Sequence, residues 1–234
     1  MYISRAKRSA RTTLGKEPAP DMPNFQPDLA AAKLAARTSQ GAFVVMALTV
    51  VLAGAATPGY DHAGQFISEL GAREAPREWI VRLAGFLPAG ALLLAFCVFA
   101  HRALPGSRGA TLGLVGLAIF AAGYVVAAAF PLDPKGHSGP PSASAVIHEF
   151  GGVAGYLFAP GFLFLFARAA RTWPAAGSLA AAGYVAAGLA LLGLFTLSPS
   201  SPLAGLSQRL LELAVLGWAA LCGRYAARRA ADGA

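Results

Sequence analysis

Long apolar stretches separated by short polar ones occupy this chain from Thr38 almost to its end. A helix needs about 20 mainly apolar residues to cross a bilayer. The stretches Thr38 to Tyr60, Leu83 to His101 and Gly109 to Leu132 are free of Asp, Glu, Lys and Arg and each qualifies. Phe150 to Ala167 gains a further turn from Ala145, Val146 and Ile147. The uncharged interval Thr172 to Gln208 is divided by Ser198-Pro199-Ser200-Ser201-Pro202, which closes one helix and spaces it from the next. The last span, Leu203 to Cys222, carries Arg209 and Glu212 within it. The pattern predicts an all-α, polytopic membrane protein: six transmembrane helices in one bundle, at about 40–57, 80–102, 110–130, 146–168, 175–197 and 204–223. This transmembrane domain fills 38–226, preceded by a basic, partly disordered tail at 1–37 and followed by a short tail at 227–234.

Composition supports the class. Of 234 residues, 56% are hydrophobic and 13% charged, where a soluble domain carries about 25% charged residues. The net charge of +8 is a sum over two unlike faces. Fourteen of the nineteen Lys and Arg fall on the N-terminal side of the membrane (Arg5, Lys7, Arg8, Arg11, Lys16, Lys33, Arg37, Arg102, Arg108, Arg168, Arg171, Arg224, Arg228, Arg229). Five fall on the other: Arg73, Arg77, Arg82, Lys135 and Arg209. Basic loops stay inside, so both termini are expected in the cytoplasm. Asp61, Glu69, Glu74, Glu78, Asp133, Glu149 and Glu212 collect on the outer face or its helix ends.

The basic residues sit beside helix ends and in a tail, not on a folded face interleaved with aromatics, which excludes nucleic acid as a partner. Membrane lipid is the partner they fit, and the Arg5 to Lys16 run suits topology and anionic lipid together. That run is not a secretory signal, because no apolar core follows it before Met22. Met22 is an alternative start. Pro23 to Gln40 would still form a short cytoplasmic helix, with Asp28 as cap and Lys33 and Arg37 on one face. Gly109 with Gly113, and Gly151 with Gly155, have the spacing that lets helices approach closely in lipid. Pro88 and Pro160 fall inside spans, where neighbours absorb a kink. Cys97 and Cys222 are expected as free thiols in a reducing, apolar setting.

The outer side carries the polar chemistry. In the first outer loop Phe66, Ile67 and Leu70 recur at helical spacing and Gly71 would cap the end. A short interfacial helix there would hold Glu69 over the mouth of the bundle, or Glu69 would simply accept hydrogen bonds from loop amides. Asp133 lies between Pro131 and Pro134, where a carboxylate caps turns. Ser144 and His148 share a helix face, Ser144 as the expected cap with His148 one turn below. His148 fits a general base, a metal ligand or a proton-sensitive switch, and fits equally a bundle residue bonded to a carboxylate. An ionisable residue inside a span normally pairs, so Arg209 is expected to meet Glu212, Asp133 or Glu69, and Glu78 and Arg82 to form a helix-end ion pair.

With Ile67-Ser68-Glu69-Leu70-Gly71, Phe130-Pro131-Leu132-Asp133, the Ser144 to His148 pair and Gln208-Arg209, the chain resembles the bacterial and archaeal six-helix membrane proteins grouped as domain of unknown function 998, and more distantly the DRAM/Sfk-type proteins. The resemblance covers about Ala42 to Tyr225. It implies a bacterial inner-membrane protein with a polar outer-leaflet site built from these positions. It brings no established reaction. Ser144, His148 and Asp133 also match part of the zinc-binding set of the alkaline ceramidase and progestin-receptor type. That type's further His pair is absent from the last span, which has Gln208, Arg209 and Glu212. No cofactor motif is legible; the phosphate loop, the Cys-based metal motif and the nucleophile elbow are all missing.

The residues Ser68, Glu69, Asp133, Ser144, His148 and Arg209 therefore form the expected binding site. The first reading is a polar pocket for a lipid headgroup or small ligand, with no chemistry. The alternative is a lipid hydrolase in which His148, Glu69 and Asp133 act and His148, Asp133 and His137 are metal candidates. The third is a proton-coupled carrier, with Glu212 as its only sign.

Overall fold

The computed structural model describes residues 28–232; the basic run Arg5 to Lys16 and the Met22 start lie outside the described residues. Six helices are long and apolar enough to cross a membrane: α1 (Leu29–Ala55), α2 (Glu78–Ala103), α3 (Arg108–Ala129), α4 (Ala143–Ala170), α5 (Gly177–Thr196) and α6 (Ala204–Asp232). Among the described residues there is no strand. The helix starts follow from local chemistry. Asp28 accepts hydrogen bonds from the amides of Ala30 and Ala31, Ser107 from Ala110, and Ser142 from Ala145, each satisfying a donor that a helix terminus leaves free. The cap at Asp28 opens a helix continuous with the first span, so α1 begins at Leu29, within the segment assigned to the tail. At the far end α6 continues through Tyr225 to Asp232.

The helices form a closed ring in chain order. Each packs against its sequence neighbours, and α1 closes the ring onto α6. Helix α6 also touches α2 and α4 across the centre, and it is the most buried of the six. Its Leu211, Val215, Trp218 and Cys222 form the middle of the core with Leu93, Phe96, Leu117, Leu163 and Phe166.

Side-chain size, more than polarity, decides which way α1 faces. Along α1, Ala32, Ala35, Ser39 and Ala42 are buried, while Val51 and Leu52 are 59% and 62% exposed. Small residues face the bundle and large apolar ones face outward, as expected where lipid surrounds the protein and helices gain by close approach. The α3–α4 interface shows this most clearly. A Cβ at Gly116 would stand 2.6 Å from Cβ of Phe162, one at Gly113 2.8 Å from the Phe166 ring, and one at Gly123 2.9 Å from the Gly151 carbonyl oxygen.

Pro88 is accommodated by a π-helical turn at Val81–Phe86 that precedes it in α2. This turn swings Arg82 inward, where Nε donates to the Ala128 carbonyl at 2.8 Å and the guanidinium lies 4.6 Å from the centre of the Trp79 ring. The expected Glu78–Arg82 pair is thus replaced: Glu78 accepts the Glu74 amide and Arg82 caps the end of α3. Cys97 and Cys222 are both free and buried.

Candidate functional site

The segments 56–77, 130–142 and 197–203 meet at one end of the ring. The first of them carries a short 3-10 turn, Ile67–Gly71, that sits over the bundle with Ile67 and Leu70 buried. Gly71 is the last residue of this turn and does not act as a left-handed cap, since Ala72 follows in extended conformation. Its missing side chain serves close approach instead: a Cβ would stand 3.0 Å from the Phe86 ring.

Arg209 ties this loop to α6. Its Nη1 donates to the carbonyls of Gln65 and Gly205, and its Nη2 donates to the Tyr60 hydroxyl at 2.6 Å and to Nδ1 of His62 at 3.2 Å. The Tyr60 hydroxyl passes its own hydrogen to the Phe66 carbonyl at 2.9 Å. Burial lifts the Tyr60 hydroxyl above the ordinary phenol range even though Arg209 beside it pulls the other way. The Nη donors of Arg209 therefore go to two backbone carbonyls, Tyr60 and His62, in place of the carboxylates that the sequence offers it.

The other expected site residues also stitch loop to helix. Glu69 accepts the Phe66 amide at 2.9 Å and the Gln65 side-chain amide at 2.7 Å, the loop-capping alternative. Asp133 accepts the Ser142 amide at 2.8 Å, and Ser142, by its hydroxyl first and its amide second, holds the Asp133 carboxyl below the usual carboxylate range. The cap of α4 is Ser142, not Ser144. Ser144 instead donates to the Pro131 carbonyl at 2.7 Å, and Nδ1–H of His148 donates to the Phe130 carbonyl at 2.8 Å. Four residues apart on one helix face, they satisfy successive carbonyls where α3 ends, a place where free acceptors favour donors and positive charge. His137 contacts the Pro140 carbonyl. Among the described residues no three His, Cys, Asp or Glu side chains gather as a metal would require.

Two cavities flank the 3-10 turn. The outer one, about 390 Å³, is bordered by Glu69 and Asp133 with Arg73, Glu74 and Lys135. The inner one, about 370 Å³, is bordered by Ser68 and His148. The expected residues thus divide between two spaces, while Arg209 and Ser144 border neither.

The inner cavity ends on a group that sequence reasoning left out of the site. Glu212, 5% exposed, lies two turns into α6, about 12 Å from its start at 1.5 Å per residue. It accepts hydrogen bonds from the hydroxyls of Tyr124 on α3 and Tyr156 on α4, the latter at 2.7 Å. Tyr156 in turn accepts from the Gln208 amide at 2.6 Å, and Gln208 accepts from the Ile67 amide at 2.6 Å. A backbone amide can only donate, so the direction of every link from Ile67 through Gln208 and Tyr156 to Glu212 is fixed. Burying a polar group this deep is costly unless it is bonded; here each carboxylate oxygen has a donor.

The walls are apolar. On α3 they are Phe120, Gly123, Tyr124 and Ala127; on α4, His148, Gly152 and Tyr156 at helical spacing with Val153 beside them; Phe86 and Ile67 complete them. Val153, 59% exposed, belongs both to the cavity edge and, with Phe150 and Leu157, to the apolar outer face of α4. The cavity therefore reaches the flank of the bundle.

Fold and composition make this a multi-pass membrane protein with an amphipathic cavity at one end of a six-helix ring. It belongs to the family described as protein of unknown function (DUF998), whose profile matches residues 41–225. No curated protein and no solved structure matches the chain.

Proposed function

We propose that the protein binds one amphipathic molecule, a lipid or a small membrane-dissolved ligand, in the inner cavity, without chemistry. The observation that carries this is the cavity itself: about 370 Å³ of mainly apolar wall, within the range of small-molecule sites, ending on the hydrogen-bonded Glu212 and reaching the apolar flank at Val153. A ligand entering there keeps its tail among Phe86, Phe120 and Val153 and brings its polar group to Glu212, Tyr156 and Gln208. The excess of basic residues at the opposite end (Lys33, Arg37, Arg102, Arg108, Arg168, Arg171, Arg224, Arg228, Arg229) supports cytoplasmic termini and a cavity in the outer leaflet. The family resemblance supports a bacterial inner membrane, with 38–226 as the membrane domain.

The hydrolase alternative asks His148, Glu69 and Asp133 to share a substrate. Glu69 and Asp133 border the outer cavity and His148 the inner one, so binding is the better-supported reading. The test is equilibrium uptake of a tritiated single-chain amphiphile by the full-length protein in nanodiscs. Saturable binding of one molecule per chain is expected. Uptake that rises linearly, no different from empty nanodiscs, refutes the proposal.

A further inference from the structure

The inner cavity carries a charge signature that narrows its ligand. Among the described residues its ionisable lining groups, besides the phenols of Tyr124 and Tyr156, are Glu212, Glu149 and His148, and no Lys or Arg borders it. Two guanidinium groups on the bordering elements make their hydrogen bonds outside the cavity. Arg209, one turn from Glu212 on α6, is bonded to Tyr60, His62, Gln65 and Gly205, and Arg82 to the Ala128 carbonyl. Glu212 has one donor on each oxygen, and an ionised carboxylate has room for about four, so acceptor capacity is left over.

The same cavity is lined by Phe66, Phe86, Phe120, Tyr124 and Tyr156, with Phe120 between the tyrosines, its ring centre 5.4 Å from that of Tyr124 and 5.8 Å from that of Tyr156. Aromatic faces attract organic cations, most strongly where water is excluded, and a carboxylate among them supplies the countercharge. Among the described lining residues an anionic headgroup would meet Glu212 and Glu149 and no Lys or Arg.

Resting on the reading of this cavity as a binding site, we propose that its ligand is a lipophilic monocation: an alkyl or aryl ammonium whose nitrogen faces Glu212 among the aromatic rings and whose apolar part extends past Phe120 toward Val153. Glu149, exposed at the edge beside Val153, would favour entry of the same charge.

The experiment compares three probes of equal chain length on the full-length protein in zwitterionic nanodiscs: decyltrimethylammonium, decyl glucoside and decyl sulfate, each corrected for uptake by empty nanodiscs. The cation is expected to bind about tenfold or more tighter than the neutral probe, an order of magnitude consistent with cation–aromatic attraction in a dry site, and the anion weakest. Glu212→Gln is expected to bring the cation to the level of the neutral probe. Equal binding of cation and neutral probe, tighter binding of the anion, or an unchanged preference in Glu212→Gln overturns the cation assignment and leaves the cavity reading standing. If none of the three saturates, the cavity reading fails as well. Should Glu212→Gln not fold, the ranking on the unaltered protein decides the matter alone.

Discussion

The Tyr156 hydroxyl stands 2.6 Å from Nε2 of Gln208 and 2.7 Å from Oε1 of Glu212. It accepts from the first and donates to the second, so one phenol on α4 links the roof loop at Ile67 to a carboxylate buried in α6. Tyr156→Phe removes both bonds and leaves buried partners unpaired, at about 1–3 kcal/mol for each group stranded. Tyr124→Phe strands only one oxygen of Glu212. Reversible unfolding in mixed micelles is expected to rank Tyr156→Phe below Tyr124→Phe and both below the unaltered protein.

Gly152 offers a way to close the cavity without breaking the fold. It lies on the α4 stripe between His148 and Tyr156, which both line the cavity, and a Cβ there would meet nothing within 4 Å. Gly152→Leu is expected to fold with unchanged or raised thermal stability, since Gly costs about 1 kcal/mol against good helix formers, and to lose amphiphile binding. A melting curve and a saturation curve on the same preparation check both halves.

The α3–α4 glycines predict the opposite behaviour. At Gly123 a Cβ would press on the Gly151 carbonyl oxygen, which is backbone and has no rotamer to move to. Gly123→Ala is expected to destabilise by about 1–3 kcal/mol, the typical range for overpacking, as measured by unfolding in mixed micelles, although it adds a single methyl group.

Removing Arg209 should free the loop, not the bundle. Arg209→Leu takes donors from Tyr60, His62, Gln65 and Gly205, all at the loop end. Limited proteolysis is expected to cut within 60–66 in this variant and to spare the helices.

Asp133 gives the loop end a pH dependence. Its folded carboxyl titrates lower than in the unfolded chain because Ser142, by its hydroxyl first and its amide second, stabilises the charged form. Its contribution is therefore complete above the ordinary carboxylate range and is lost as pH falls through the lower folded value. Hydrogen exchange over 142–145, measured against Asp133→Asn as reference, is expected to be slower in the unaltered protein at neutral pH and to converge with the variant in acid.

Five of the six spans were legible because each holds an uninterrupted apolar run closed by Pro, Ser or charged residues, the sixth in spite of Arg209 and Glu212 within it, and the Asp28 cap was legible because a lone carboxylate precedes an alanine-rich segment. The roles of Ser144 and His148 were not, because their partners are backbone carbonyls, which every residue carries and no pattern marks; that of Arg209 was not, because two of its partners are such carbonyls and the others, Tyr60 and His62, lie 149 and 147 residues away. Glu212 was noticed for its cost in a span, but its partners come from other helices, Tyr124 at 88 residues' separation and Tyr156 at 56. Polar hydroxyls at the middle of otherwise apolar spans were the available signal.

Photolabelling tests the central claim most directly. An alkyl diazirine amphiphile is applied in nanodiscs to the unaltered protein and to Gly152→Leu, and the labelled peptides are mapped. Label is expected on Phe120, Tyr124 and Tyr156 in the unaltered protein and to vanish there in the variant, with labelling of the exposed Val51, Leu52 and Phe150 unchanged. Equal labelling of Phe120, Tyr124 and Tyr156 in both proteins would contradict a ligand in the inner cavity.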